Sequence, residues 1–359
     1  MRIVLVLKPY AIEVYTRENN TYTLRHVESA TRIDGELVSE YEKRMVFVCK
    51  KLATDIRLSS FFKETSRTLK GVDVVLSSPW CTYDVVQVEK DFGKKTKITD
   101  TVLKSMFLKK DEKDLYVVES YTSNILLNGY KVPAIDNQIA ETVAFQYVHV
   151  YAKTSFITPL IHVLESIFHT HKVFLTSIYG LTEFVSHMRV SSGVSEIQII
   201  LEEESVDVSY IYDGLHVVNM FVPYSYAEAE HDIAMNLSAH NDVVQDILIS
   251  RGESMQQRAT TQVDKNAKKL WPDLDAQVKE IVNTSISNSL EKIVQHVRDC
   301  IDTIDIEYIK SSTRVQVYCV NKNLVLSYGI ELAHKIATDP YITMKVHSVI
   351  DDDSVISLF

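Results

Sequence analysis

The sequence predicts an α/β protein of two related lobes, with a smaller strand-rich segment inserted into the first. Two patterns and one total predict it. A meander of three strands followed by helix opens the chain, and the same pattern returns near residue 196. Between the two copies, residues 72–169 read as two strands, a helix, three strands and a helix of their own. The chain has 359 residues and is 46% hydrophobic, which is enough to bury two cores.

The first meander is Arg2–Leu7, Ala11–Thr16 and Thr21–Val27, rich in β-branched residues, with Asn19-Asn20 as a turn. After Asp34-Gly35, apolar residues recur at helical spacing through Glu36–Phe62, whose first part reads as loop. Gly71 opens the second block. Val72–Ser77 is a buried-type strand stopped by Pro79, and Thr82–Glu89 alternates. Thr99 can cap a helix to about Leu108, with Asp100 near its positive end. Tyr116–Leu127 and Gly129–Val132 flank Asn128-Gly129, a two-residue hairpin signal. Glu141–Tyr151 is one more alternating strand, and Thr158–His169 a helix.

Lys172–Ser177 and the helix Leu181–Arg189 complete the first half. The second meander is Glu196–Leu201, Val206–Tyr212 and His216–Phe221, its last two strands joined at Asp213-Gly214. Beyond Pro223 the chain turns helical: Ala227–Leu237, Asn241–Arg251 and Leu274–Thr303, with Gln256–Lys269 as polar loop or edge strand. Thr313–Val320, the helix Leu326–Thr338 and a closing strand Ile342–Val349 end it. The predicted division is 1–70 with 170–192 as first lobe, 71–169 as insertion, and 193–359 as second lobe with a mainly helical part at about 224–311. Duplicated lobes of this kind imply a cleft between them.

Composition narrows the function. The formal charge is −10 with acids and bases interspersed, and no basic stripe points to nucleic acid. Glu202-Glu203-Glu204 and Asp351-Asp352-Asp353 read as solvated turns or faces. Four scattered cysteines (Cys49, Cys81, Cys300, Cys319) form neither a disulfide framework nor a zinc motif and suit a reducing cytoplasm. The opening MRIVLVLKPYAIEVY is too short an apolar run for a signal peptide, and no stretch approaches a membrane span. Glycine is scarce: nine in 359 residues, under half the usual share of roughly 7%. Loops that wrap phosphates need glycine so that backbone N–H groups can approach the oxygens.

Other constellations are weaker. His162 and His169 share a helical face, with His171 nearby and Glu165 at the right spacing for a metal, but such histidines are far more often structural. Cys81 in SSPWC lacks the glycines of a nucleophile elbow and reads as strand-edge packing. Trp271-Pro272 reads as a packing anchor. Tyr116, Tyr121, Tyr130, Tyr147 and Tyr151 suit strands, and a row of them on one face of the insertion would make a protein-interaction surface.

The duplicated order of elements, together with Ile197–Gly214 (IQIILEEESVDVSYIYDG), resembles the actin, hexokinase and sugar-kinase superfamily. In that superfamily's second phosphate loop a strand ends in Asp-x-Gly and the return strand begins with Thr or Ser and Asp; Glu204, Ser205, Asp207, Val208 and Ser209 fit. The segment 72–169 and the hairpin Leu126–Pro133 resemble the inserted subdomain of the FtsA and PilM group. The resemblance implies an actin-like (ribonuclease H-like) two-lobed fold with an inserted strand–helix–strand–strand (SHS2-type) subdomain.

It also implies where nucleotide would bind, and there the residues differ. Aligned on Ala11–Val14, the first loop has Val6 at the magnesium-site Asp position and Lys8 at a Gly position, and Pro9 removes an N–H donor. In the second loop Ile200, Leu201, Glu202 and Glu203 stand at the Asp-x-Gly-Gly positions, and Val206 at the Thr position; Asp207 alone is a retained acid. Glutamates there would repel a triphosphate by roughly 4 kcal/mol per pair at 4 Å and an effective dielectric of about 20. The adenosine loop has Asn321 and Asn323 where a Gly-Gly turn is usual. No cofactor and no catalytic residue is therefore expected.

The expected protein is a non-catalytic scaffold that docks the cytoplasmic segment of an inner-membrane protein in type IV pilus assembly or cell division, with self-association as a second partner. The ending IDDDSVISLF is unlike the basic amphipathic helix of FtsA, which favours PilM-like attachment through a partner over direct membrane insertion. The alternative is a divergent ATPase, or a polymerising FtsA-like protein, with a rearranged pocket.

Overall fold

The structure is a computed structural model, and the residues it describes are 1–9, 11–18, 21–30, 36–59, 62–63, 69–106, 114–132, 138–168, 172–180, 195–212, 215–222, 224–259, 270–302, 314–319, 325–336, 343–348 and 356–357. They divide into two compact units, residues 1–190 and 191–359.

In the first unit β1 (Arg2–Leu7), β2 (Ala11–Glu18) and β3 (Thr21–Ser29) form the expected antiparallel meander. β1 also pairs in parallel with β4 (Val72–Leu76), which pairs in parallel with β9 (Val173–Ser177). The sheet order is thus β3-β2-β1-β4-β9. β1 after Arg2 and β4 apart from Asp73 are apolar and buried, as interior strands of a sheet covered on both faces are; Asp73 is ion-paired with Arg2. Helix α1 (Val38–Leu58) buries Tyr41, Met45, Cys49 and Leu52, a stripe at helical spacing. Glu40 bonds back to the Leu37 N–H at 3.3 Å, closing the helix start.

A separate antiparallel sheet, ordered β5-β8-β6-β7, is built from β5 (Thr82–Lys97), β6 (Leu115–Leu127), β7 (Tyr130–Lys131) and β8 (Ile139–Lys153). Helix α2 (Asp100–Met106) lies between β5 and β6 in the chain and begins where Thr99 Oγ1 accepts the Val102 N–H at 3.3 Å. The core here joins Ile98, Leu103, Val143, Phe145 and Tyr147. The separate sheet is narrower than the expected insertion at 71–169. β4 is an interior strand of the first sheet, and helix α3 (Thr154–Ile167) packs against α1. A strand's pairing partners lie far away in sequence, so local pattern does not assign it to a sheet.

In the second unit β10 (Ser195–Leu201), β11 (Val206–Tyr212) and β12 (Leu215–Val222) repeat the meander. β10, β13 (Arg314–Cys319) and β14 (Thr343–Ser348) run parallel, and a two-residue β15 (Ile356–Ser357) is added at the edge. The order β12-β11-β10-β13-β14 repeats β3-β2-β1-β4-β9 with the same strand directions. Helices α4 (Ala227–Leu237), α5 (Asn241–Ala259), α6 (Leu270–Asp273) and α7 (Ala276–Asp302) follow the meander. Val282, Ile286, Leu290, Ile293 and Val297 of α7 share one core with Ile197, Ile199, Val315 and Val317 of the sheet. A π-type turn (Val325–Gly329) leads into α8 (Ile330–Ile336).

Several boundaries differ from expectation. β5 runs past Glu89 to Lys97 because an irregularity between Asp91 and Thr96 lets pairing with β8 resume. α3 starts at Thr154, not Thr158, because Phe156 and Ile157 are buried with Leu160. α5 continues through residues 256–259, which the polar composition had assigned to a loop or edge strand. β15 follows the strand expected to close the chain. The expected helix 181–189 and the adenosine-loop residues 321–323 lie outside the described residues.

Candidate functional site

Two of the three loops at which the resemblance places a nucleotide site lie among the described residues, one in each unit. At the first loop, the Lys8 N–H closes the β1–β2 turn on the Ala11 carbonyl at 2.9 Å. The Leu7 carbonyl accepts both the N–H and the hydroxyl of Ser77, at 3.2 and 2.8 Å. The Lys8 carbonyl accepts the Trp80 indole N–H at 2.9 Å. Trp80 is itself clamped between Phe156 of α3, ring centroids 4.6 Å apart, and Tyr41 of α1, 5.3 Å apart. Val6 is wholly buried, in register with Glu13 and Val75.

The Lys8 side chain is engaged as well. Its Nζ lies 2.6 Å from Glu13 Oε1, and both side chains are about nine-tenths buried. The Tyr15 hydroxyl donates to Glu13 Oε2 at 2.7 Å. Glu13 and Tyr15 share a face because strand side chains alternate. The ammonium and carboxylate thus neutralise each other inside the turn. A paired, hydrogen-bonded arrangement of this kind is what makes a buried charge tolerable.

The second loop is tied down differently. The Glu202 N–H donates to the Ser205 carbonyl at 3.0 Å, forming a tight turn. The Glu202 carbonyl accepts the Ser225 hydroxyl, and the Glu203 carbonyl accepts the Ala227 N–H at 3.2 Å, at the start of α4. Glu202 and Glu203 are therefore buried, and only Glu204 is half-buried, which corrects the expectation of a solvated acidic run. Ile200, Val206 and Asp207 are buried in β10 and β11, Ile200 directly opposite Asp207. Val6 and Lys8 belong to the first unit; Ile200, Glu202, Glu203, Val206 and Asp207 cluster in the second. Asn321 lies outside the described residues.

His162 and Glu165 are exposed on α3, while His169 and His171 lie outside the described residues. Cys81 is buried, its Sγ 3.5 Å from the Leu76 carbonyl. Burial pushes the Cys49 thiol up to about 12. Tyr147 and Tyr151 are buried while Tyr130 is 77% exposed, so the tyrosines do not share one exposed face. Trp271 packs against Arg251, whose guanidinium also bonds Asn283 and Glu331, each at 2.9 Å.

One polar junction was not legible in the sequence. Glu119 of β6 accepts hydrogen bonds from Thr176 Oγ1 at 3.1 Å, from the Ser177 N–H at 2.9 Å and from the Ser177 hydroxyl. It thereby pins the separate sheet to the carboxyl end of β9. Burial pushes the Glu119 carboxyl above its ordinary value, against the lowering effect of those hydrogen bonds. Gly180 admits it: a Cβ there would lie 2.3 Å from the carboxylate. The glutamate lies 57 and 58 residues from its partners, so no spacing signals the junction.

No protein-family model matches the chain, and no curated protein matches it. Solved structures do. The PilM-PilN type IV pilus biogenesis complex matches at TM-score 0.53 with 10% identity, over 97% of this chain and 88% of that one. A Bacteroides thetaiotaomicron protein described as having an actin-like ATPase fold and unknown function gives TM-score 0.38 and 8% identity, over 96% and 90% of the two chains. The ethanolamine utilization protein EutJ from Carboxydothermus hydrogenoformans gives 0.44 and 9%, over 98% and 86%. Matching strand order in both sheets, and the likeness to PilM over nearly the whole length, give this chain the actin-like ATPase fold.

Proposed function

We propose that the chain is a non-catalytic actin-fold scaffold that docks the cytoplasmic segment of an inner-membrane protein, in type IV pilus assembly or cell division. The observation that carries the reading is the Lys8–Glu13 ion pair in the β1–β2 turn, where the resemblance implies a glycine next to phosphate. An ammonium already neutralised at 2.6 Å offers little to a phosphate oxygen, and its side chain occupies the space that a glycine would leave. The buried Glu202 and Glu203 place two carboxyl side chains at the second loop where the resemblance implies glycines. The solved likeness is a complex of PilM with PilN, which supports a protein partner for this chain too.

Among the described residues no helix is long and apolar enough to cross a membrane. Inner-membrane vesicles from the native host, turned cytoplasmic face outward, test the docking reading. The chain is expected to co-sediment with intact vesicles and to stop doing so once a protease has removed their cytoplasmic segments. Binding that survives the shaving would mean attachment to lipid and would contradict the proposal.

A further inference from the structure

The outer strand of the second unit's sheet, β12, differs from the other edges. β3 carries Arg25 and Glu28, and β5 carries Asp84, Glu89 and Lys90. β7 and β15 have two residues each and β9 has five. Charges, shortness and bulges are the usual devices that keep an edge strand from pairing with another chain. β3, β5 and β12 each carry a register irregularity, in β12 at Val217, so the edges differ in charge and length. β12 runs eight residues, LHVVNMFV, without Asp, Glu, Lys, Arg or Pro. One side of it pairs with β11, and among the described residues no strand pairs with the other. Val217 and Phe221, on one face, are 44% and 56% exposed.

A bare edge of this kind takes an extended strand, and the sequence of β12 specifies which one. Antiparallel pairing of two copies about Asn219 sets Val217 opposite Phe221 twice on one face. It sets Val218 opposite Met220 twice on the other. All four flanking pairs are apolar, and aromatic–β-branched pairs are among the favourable ones. Sliding the centre to Val218 or Met220 would set Asn219 against Val217 or Phe221, so Asn219 selects the register. We propose that β12 is a self-docking edge, through which two copies of this chain join their six-stranded sheets about a two-fold axis at Asn219. The contact is isologous and closes at the dimer. It is small, so the dimer is expected to be weak and concentration-dependent.

Sedimentation velocity of the full chain over a wide range of concentration reads the association. The wild type is expected to move from monomer to dimer, and Val217→Lys to raise the dissociation constant about tenfold or more, because a charge blunts the edge. Thermal unfolding of dilute Val217→Lys, unchanged from wild type, establishes that the variant is folded. A second arm is independent of affinity. Directly opposed residues lie about 4.5–5.5 Å apart between Cα atoms, within reach of a disulfide. The native cysteines are all buried. Mild oxidation should therefore cross-link Asn219→Cys into a covalent dimer and leave Val217→Cys monomeric. A wild type that stays monomeric throughout, or equal cross-linking at 217 and 219, would overturn the proposal. Either result leaves the vesicle experiment unaffected.

Discussion

A lysine at position 8 brings a Cβ and a charge together into the turn that ends β1, and the fold absorbs both. The charge is absorbed by Glu13, which Tyr15 holds in place. Removing one partner strands the other, which for buried pairs costs about 3–5 kcal/mol, whereas replacing both with apolar groups of similar size is often neutral or stabilising. Lys8→Ala is therefore expected to lower the unfolding free energy by about that amount, and Lys8→Met with Glu13→Leu to recover most of it. Urea unfolding of the three proteins distinguishes them; a Lys8→Ala loss under about 1 kcal/mol would mean that the pair is effectively solvated.

Glu119 makes a pH-dependent prediction at the same scale. Burial raises its carboxyl above 4.5, so folding favours the neutral acid. Its contribution to stability is then present below the ordinary value and is lost as pH rises through the raised one. Relative to Glu119→Gln, the wild type is expected to lose stability across that window and to level off above it. Denaturant midpoints measured in a pH series check this. A difference that ignores pH, or one that grows in favour of the wild type as pH rises, would contradict the assignment.

At the scale of elements, the Asn128-Gly129 turn was legible in the sequence and sheet membership was not; the turns expected at 19–20 and 213–214 lie outside the described residues. Asn128 and Gly129 take positive φ values of 50° and 81°, the backbone that an Asn-Gly hairpin requires. The Asn128 side chain also accepts the Glu141 and Thr142 N–H groups at 2.8 and 3.1 Å, stitching the turn to β8. Gly129→Val should cost about 1–2 kcal/mol through backbone strain alone, since a Cβ there meets nothing within 4 Å. Thermal unfolding would read the loss, and an unchanged midpoint would argue against the turn. By contrast, β4 has the same local pattern as a strand of the insertion, and only its hydrogen bonds to β1 and β9 place it in the first sheet. The acidic run at 202–204 misled for a related reason. Charge predicts exposure locally, but Ser225 and the start of α4 hold this turn under cover.

For the whole molecule, the repeated meander in the sequence becomes the repeated strand order of two sheets, and that repetition is what made the fold readable without any matching family. The identities of Val6, Lys8, Glu202 and Glu203 at the loop positions are read from the sequence alone. The contacts around Lys8 are not, because Glu13, Ser77 and Trp80 reach Lys8 and its neighbours only through the assembled sheet. The central claim is that this actin-like fold works without nucleotide. Isothermal calorimetry of the purified chain with ATP and magnesium, repeated with ADP, tests it most directly. No saturable heat is the predicted result; one-site binding of either nucleotide would contradict the account and make the divergent ATPase the better description.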